Sequence, residues 1–307
     1  MNLYAGIAIA VAGVLLAVFG VLGIVPGSTQ PGVFGVLGGL LIVGLSFIKR
    51  PDTNGEERVP TASTLIDVFF SPAAAFRSLR THPRWLVAVL IMVGMSVAYT
   101  NLFMLRLTPE RVTNFTIDKT LEMSILTDDA RAQIESGRSK AIEDAKSPVT
   151  RAGQAASSFA GHLFGYAFLA AIFFLFALAL GGQMNYWQAF SVAVYGAFPV
   201  AVIRFVLNSV ILFVKDPSEI HPITGQTSLI QDNLGFLLNP ADSPVIYVLL
   251  STIGLLGLYW VWLNAVGMAN AGEKVSPSTG WTASVSVYVL MVLLAVVSAW
   301  MFPGFIS

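Results

Sequence analysis

The sequence contains no cysteine. That excludes a disulfide framework, a thiolate metal site and a cysteine nucleophile. Charge is scarce as well. Asp, Glu, Lys and Arg make up 11% of the 307 residues, against about a quarter in an ordinary soluble domain. The 17 basic and 17 acidic side chains cancel, so bulk charge implies no nucleic-acid partner. The three histidines, His82, His162 and His221, lie far apart and not at ligand spacing, so no metal site is expected. His162, at the start of an apolar run, reads as an interfacial residue. No nucleophile stands at a spacing that pairs it with a base. The chain therefore reads as a non-enzyme, with no catalytic residue and no cofactor.

What is abundant is apolar. Hydrophobic residues are 55% of the chain and the mean hydropathy is +0.75. Seven runs are long enough to cross a hydrocarbon core, which takes about 20 apolar residues: 4–25, 32–49, 85–106, 156–181, 187–214, 245–268 and 283–302. None contains Asp or Glu. The expected fold class is all-α, a polytopic membrane helix bundle of about seven transmembrane helices with an amphipathic interfacial helix. The first run lacks a basic n-region and a small-x-small cleavage site, so it reads as a retained helix.

The expected organisation has three parts. Residues 1–50 form a transmembrane hairpin about the short PGSTQPG turn. Gly6, Gly13 and Gly20 recur every seven residues, and Gly35 and Gly39 make a small-xxx-small pair. These bare faces let two helix backbones approach closely. Residues 51–84 are a polar linker followed by the amphipathic stretch TLIDVFFSPAAAFRSLRTHPRW. There Ser71 and Pro72 read as an N-cap and first helical residue. Arg77, Arg80 and Arg84 would lie near lipid phosphates. Residues 85–307 form a five-helix membrane domain with a helical extracytoplasmic loop at 107–155. That loop carries two helix starts, at Thr108-Pro109-Glu110 and Thr127-Asp128-Asp129. Its sparse apolar positions predict a solvated hairpin without a core of its own.

Trp187–Val214 is the most informative stretch. Pro199 inside it removes one backbone hydrogen bond, so a kink is expected. Arg204 is an arginine in an apolar run, by default a functional-site candidate. It lies about 15 Å from the end of the run at 1.5 Å per residue. Two readings stand side by side: a snorkelling or bundle-packed side chain, and a binder of a lipid phosphate or of an acid on a neighbouring subunit. Asn208, one turn on, and Asn264, in the sixth run, are candidates to share its hydrogen bonding. Raw counts of Lys and Arg do not set the orientation. Lys49 and Arg50 abut the second run and Arg77, Arg80 and Arg84 abut the third, which favours a cytoplasmic N-terminus and an extracytoplasmic C-terminus.

At these residues a family resemblance enters. FFSPAAAFRSLRTHPRWLVAVLI is similar to the opening signature of the bacterial branch of the Yip family, the Ypt- or Rab-interacting five-helix membrane proteins. GGQMNYWQAFSVAVYGAFPVAVIRFVL resembles its glycine-rich turn and following helix. NLGFLLNPADSPVIYVLLSTIGLLGLYWVWLNAVGMANAGEKVSPSTGW resembles its last loop and fourth helix. The likeness covers about 65–303 and leaves out the N-terminal hairpin. The acidic N-terminal motif of the trafficking members is missing, and STIGLLG holds no acid where bacterial relatives often carry an Asp. The resemblance implies a membrane-shaping or trafficking role in eukaryotic relatives and a cytoplasmic N-terminus. Together these readings predict a cell-membrane protein that organises lipid or scaffolds a membrane complex, with membrane lipids and other subunits or its own copies as partners. An accessory subunit of a bioenergetic or transport assembly is the alternative, and a small-solute transporter or channel stands behind both.

Overall fold

The computed structural model describes residues 2–25, 27–49, 57–123, 126–240 and 242–306. Most of the polar linker, Arg50 included, lies outside these. Among the described residues there are fourteen α-helices and no extended strand. In chain order they are α1 (Asn2–Val21), α2 (Thr29–Ser46), α3 (Thr61–Phe70), α4 (Pro72–Thr81), α5 (Leu86–Leu107), α6 (Pro109–Leu121) and α7 (Asp128–Ser136). Then follow α8 (Arg138–Lys146), α9 (Pro148–Ala179), α10 (Tyr186–Val214), α11 (Thr224–Thr227), α12 (Pro244–Thr252), α13 (Leu255–Ala271) and α14 (Pro277–Met301). Six of them (α1, α2, α5, α9, α10 and α14) are long and apolar enough to cross a membrane. The protein is a polytopic helical bundle.

The seventh apolar run is not one helix. It is divided into α12 and α13, with Ile253 and Gly254 outside both. The cause lies in the preceding loop. Asp232 accepts from the Leu256 amide through Oδ2 at 2.8 Å and from the Leu255 amide through its carbonyl at 3.2 Å. Asn233 pairs with Gly254 as an isolated antiparallel bridge. A side chain at Gly254 would start 2.9 Å from the Asp232 carboxylate and push it from the Leu256 amide. The first amides of α13 are thereby satisfied from outside the helix, as a helix start away from bulk water requires.

Contacts group the chain into two units: residues 1–95, 153–202 and 258–289, and residues 96–152, 203–257 and 290–307. In the first, α1 lies against α2 through glycine. A Cβ on Gly6 would stand 2.9 Å from the Gly39 carbonyl, and one on Gly35 3.1 Å from the Gly13 Cα. One on Gly20 would run into Thr29. Two glycines not singled out in the sequence take part: Gly32 abuts Ala17, and Gly38 faces Ala160 of α9. The end of α2 is tied down by Trp187, whose Nε1 donates to the Ile48 carbonyl at 3.0 Å.

The amphipathic stretch is two helices that part at Ser71. Pro72 opens α4, but the Ser71 hydroxyl makes no capping bond. Its carbonyl accepts instead from Ala74 and Ala75, at 2.9 and 3.1 Å. The apolar side of α4 is covered by protein: Ala75, Phe76 and Leu79 are buried, with Phe76 packed at Gly267 of α13. The large apolar residues that α3 and α4 leave exposed are Ile66 and Phe70 of α3. The apolar face of α4 is thus turned to protein.

In the second unit, Thr108 turns the chain from α5 into α6 at φ 69, a left-handed conformation rare for a β-branched residue. Its hydroxyl accepts from the Arg111 amide at 3.4 Å, and Thr127 accepts from Ala130 at 3.3 Å. The loop holds three helices rather than a simple hairpin. Arg138 of α8 reaches Asp118 of α6 at 2.7 Å and Glu135 at 2.8 Å. Those two carboxylates hold the Arg138 guanidinium above its ordinary pKa. The acids are more than half exposed, so such pairs orient the helices more than they stabilise them. The loop is rooted in apolar contact, since buried Val112 joins Tyr99, Phe103, Leu107, Leu212 and Ile220.

Candidate functional site

The N-terminal part of α10 is the most enclosed stretch of the first unit. From Trp187 to Gly196 every residue is buried. Burial this continuous leaves polar groups with no water, so each needs a protein partner. Gln188 donates to the Arg80 carbonyl at 2.8 Å and accepts from the Asn185 amide at 2.7 Å. Ser191 donates to the Arg84 carbonyl at 3.1 Å. These bonds fasten the end of α4 and the PRW turn to α10. Trp85 adds an edge-to-face contact with Phe190, centroids 5.3 Å apart.

Arg84 is the hub of this arrangement. Its Nη1 donates to the Val59 carbonyl at 2.6 Å and to Thr61 Oγ1 at 3.3 Å, and its Nη2 to Thr64 Oγ1 at 2.8 Å. Burial, which disfavours charge, sets its pKa below the ordinary arginine value, and Arg58 nearby pushes the same way. Arg80 instead reaches the Glu273 carbonyl at 3.4 Å. Arg77 is exposed and bonds its own helix at Ala73, 3.3 Å away.

Asn264 of α13 is fully buried. Its Nδ2 donates to the Trp260 carbonyl at 2.8 Å. Its Oδ1 is buried without a partner and lies over Gly196, where a Cβ would come within 2.5 Å. Asn208 is also buried, and its Oδ1 accepts from the Leu229 amide at 2.9 Å. Both asparagines are thus buried within the protein. Neither bonds to Arg204 among the described residues: Asn208 holds the segment at Leu229, and Asn264 bonds its own helix while lying over Gly196.

Arg204, in the second unit, is different. It is exposed, and among the described residues it makes no hydrogen bond or ion pair. Val206, Leu207, Val210 and Phe213 on the same part of α10 are exposed apolar residues. A permanently charged fork thus stands at the edge of an apolar helix surface. The helix itself runs unbroken past Pro199.

Among the described residues no group of three His, Asp or Glu could hold a metal ion. The depression lined by Val112, Thr116, Ile223 and Phe305 has a volume of about 370 Å³ and no titratable side chain in its wall. The residues that sequence reasoning passed over are Tyr195, Thr64 and Asp232. Thr64 and Asp232 act at long sequence separation, 20 residues from Arg84 and 24 from Leu256, which local patterns do not show.

Apolar spanning helices, an amphipathic entry packed on the bundle and a polar clamp around PRW define a multi-pass membrane protein. The Yip1 domain matches residues 66–300, and the chain belongs to that family, which is not a family of enzymes. No curated protein and no solved structure matches the chain. The hairpin of α1 and α2 precedes the matched region.

Proposed function

We propose that this protein is a non-enzymatic component of the cell membrane that organises lipid or scaffolds a membrane complex, with Arg204 as its contact. The observation that carries this reading is the exposed Arg204, which has no hydrogen-bond or ion-pair partner among the described residues. In α10, 29 residues long, the helix spans about 44 Å against a hydrocarbon core of about 30 Å. With the surplus shared between both ends, the Arg204 backbone lies about 8 Å inside the boundary. From there the side chain can direct its charge to a lipid phosphate or to a carboxylate of a neighbouring subunit. At a helix centre an arginine costs about 3 kcal/mol on insertion scales, and less nearer the boundary, so an anionic contact at Arg204 offsets a part of that cost.

Arg204→Leu is the test. The variant is expected to insert and fold, with a thermal midpoint at or above the wild type. Native mass spectrometry after mild-detergent extraction is expected to show loss of co-purifying anionic lipid or subunit. Unchanged retention of both would sink the proposal. A stoichiometric second protein would favour the accessory-subunit reading. That reading has its own support in α1, which lies outside the matched region and buries only 11% of its apolar window.

The orientation supported by Lys49, Arg77, Arg80 and Arg84 is a cytoplasmic N-terminus and an extracytoplasmic loop at 107–155. Single cysteines at Ser136 and Ser276 report on it in a chain that otherwise has none. An impermeant thiol reagent added outside is expected to label Ser136→Cys and spare Ser276→Cys. The reverse pattern would invert the topology.

A further inference from the structure

The loop between α10 and α12 is drawn back toward the spanning helices by bonds within the second unit. The Tyr99 hydroxyl of α5 donates to the Gly225 carbonyl at 2.7 Å. Asn208 of α10 accepts from the Leu229 amide at 2.9 Å. Tyr99 and Asn208 lie about 12 and 9 Å before the ends of their helices at 1.5 Å per residue. Asp232 then accepts from the Leu255 amide through its carbonyl and from the Leu256 amide through its carboxylate.

The length of α13 sets the depth of that last contact. Its far end meets the turn between α9 and α10, where the Glu273 amide donates to the Gln183 carbonyl at 2.8 Å. Glu273 and Lys274 are exposed there, so this end stands at the boundary of the hydrocarbon core. The 17 residues of α13 cover about 26 Å, less than a core of about 30 Å. Its first turn therefore starts inside the opposite boundary, and the loop lies beside it. Asn233 is bridged to Gly254, and a Cβ on Gly235 would run into the Ser251 hydroxyl.

At this level the loop makes a short 3-10 turn, Leu234–Leu237. Leu234, Phe236 and Leu237 are 49, 60 and 65% exposed. No charged residue lies between Asp232 and Asp242, and the Asp232 carboxylate is committed to α13. Asn233 accepts from the Gly235 amide at 2.9 Å, and the Leu238 amide donates to the Gly235 carbonyl at 3.0 Å, as backbone facing lipid requires. Ile246 and Leu249 are exposed on one side of α12, the helix on which the turn packs. Three large apolar side chains in four residues would form a patch in water. At the depth of the first turn of α13 their neighbours are acyl chains.

We propose that Leu234–Leu237 is a re-entrant turn that dips into the bilayer and contacts lipid acyl chains through Leu234, Phe236 and Leu237. The contact is apolar and indifferent to the headgroup. It shares no residue with the anionic contact at Arg204 and stands or falls separately from it.

The experiment uses the full-length protein in phosphatidylcholine nanodiscs. Phe236→Cys, in a chain with no other cysteine, is labelled with bimane. Quenching by phosphatidylcholine brominated on its acyl chains is compared with quenching by aqueous iodide. Val210→Cys, an exposed apolar position of α10, is the lipid control, and Ser136→Cys is the water control. The Phe236→Cys label is expected to be quenched by brominated lipid as at Val210→Cys, with the iodide quenching seen at Ser136→Cys lost. Leu237→Cys carries the same test if the thermal midpoint of Phe236→Cys shows that it is unfolded. Iodide quenching equal to that of Ser136→Cys would place the turn in water and overturn the proposal. Shielding from both quenchers would overturn it as well, because a second copy or another protein would then cover the turn.

Discussion

Gly13→Ile is expected to drive the two N-terminal helices apart and lower the stability of the folded protein by about 3 kcal/mol, the upper range for overpacking. Even the first added carbon meets backbone, not a movable side chain. It would stand 2.7 Å from the Gly35 carbonyl carbon and 2.8 Å from the Gly32 oxygen. Backbone cannot rotate away, so the helices must separate along their whole contact. Between helices in lipid the attraction is close packing, without a hydrophobic drive to compensate. Thermal unfolding in detergent would show the loss. The control is Gly94→Ile on α5, where nothing stands within 4 Å of the added carbon. That variant is expected to unfold at the wild-type temperature, and equal losses for the two would remove the packing argument.

Gly196→Leu is expected to have an effect of similar or greater size, about 3 kcal/mol or more, through a different obstacle. The added carbon would lie 2.5 Å from Asn264 Oδ1. The amide is held by its bond to the Trp260 carbonyl at 2.8 Å and has no free volume to enter. Gly196→Ala paired with Asn264→Ala turns this into a measurable coupling. The double variant is expected to recover most of what Gly196→Ala loses, with a coupling of about 1–2 kcal/mol between neighbours in contact. Additive losses would show that Gly196 is needed for some reason other than Asn264. A size-exclusion profile before each melt separates misfolding from simple loss of stability.

These two glycines also show how far the sequence could be read. Gly13 belongs to a period of seven, and a repeated small residue in an apolar run points to a helix seam. Gly196 has no such period, and its meaning depends on a residue 68 positions later in the chain. The same contrast holds for the spans. Six long apolar runs are helices because length and composition suffice to say so. The seventh reads as continuous because Ser251 to Gly254 hold no charge or proline. The break there depends on Asp232, outside the run and in a loop of no regular pattern. STIGLLG itself holds no acid; the loop supplies one to the same helix start. Likewise spacing and charge group Arg84 with Arg77 and Arg80. Only the fold separates it from them, by bringing Thr61 and Thr64 to its guanidinium.

The divided seventh run has a consequence for how the chain enters its membrane. A segment that inserts by itself needs about 20 apolar residues in one helix. The two pieces are 9 and 17 residues long. Neither can act as an independent stage of insertion, and the start of the longer piece would expose bare amides to lipid until Asp232 reaches it. The loop before it must therefore close first or together with it. Insertion of this pair is thereby coupled to the folding of the loop that precedes it, unlike that of the six long spans.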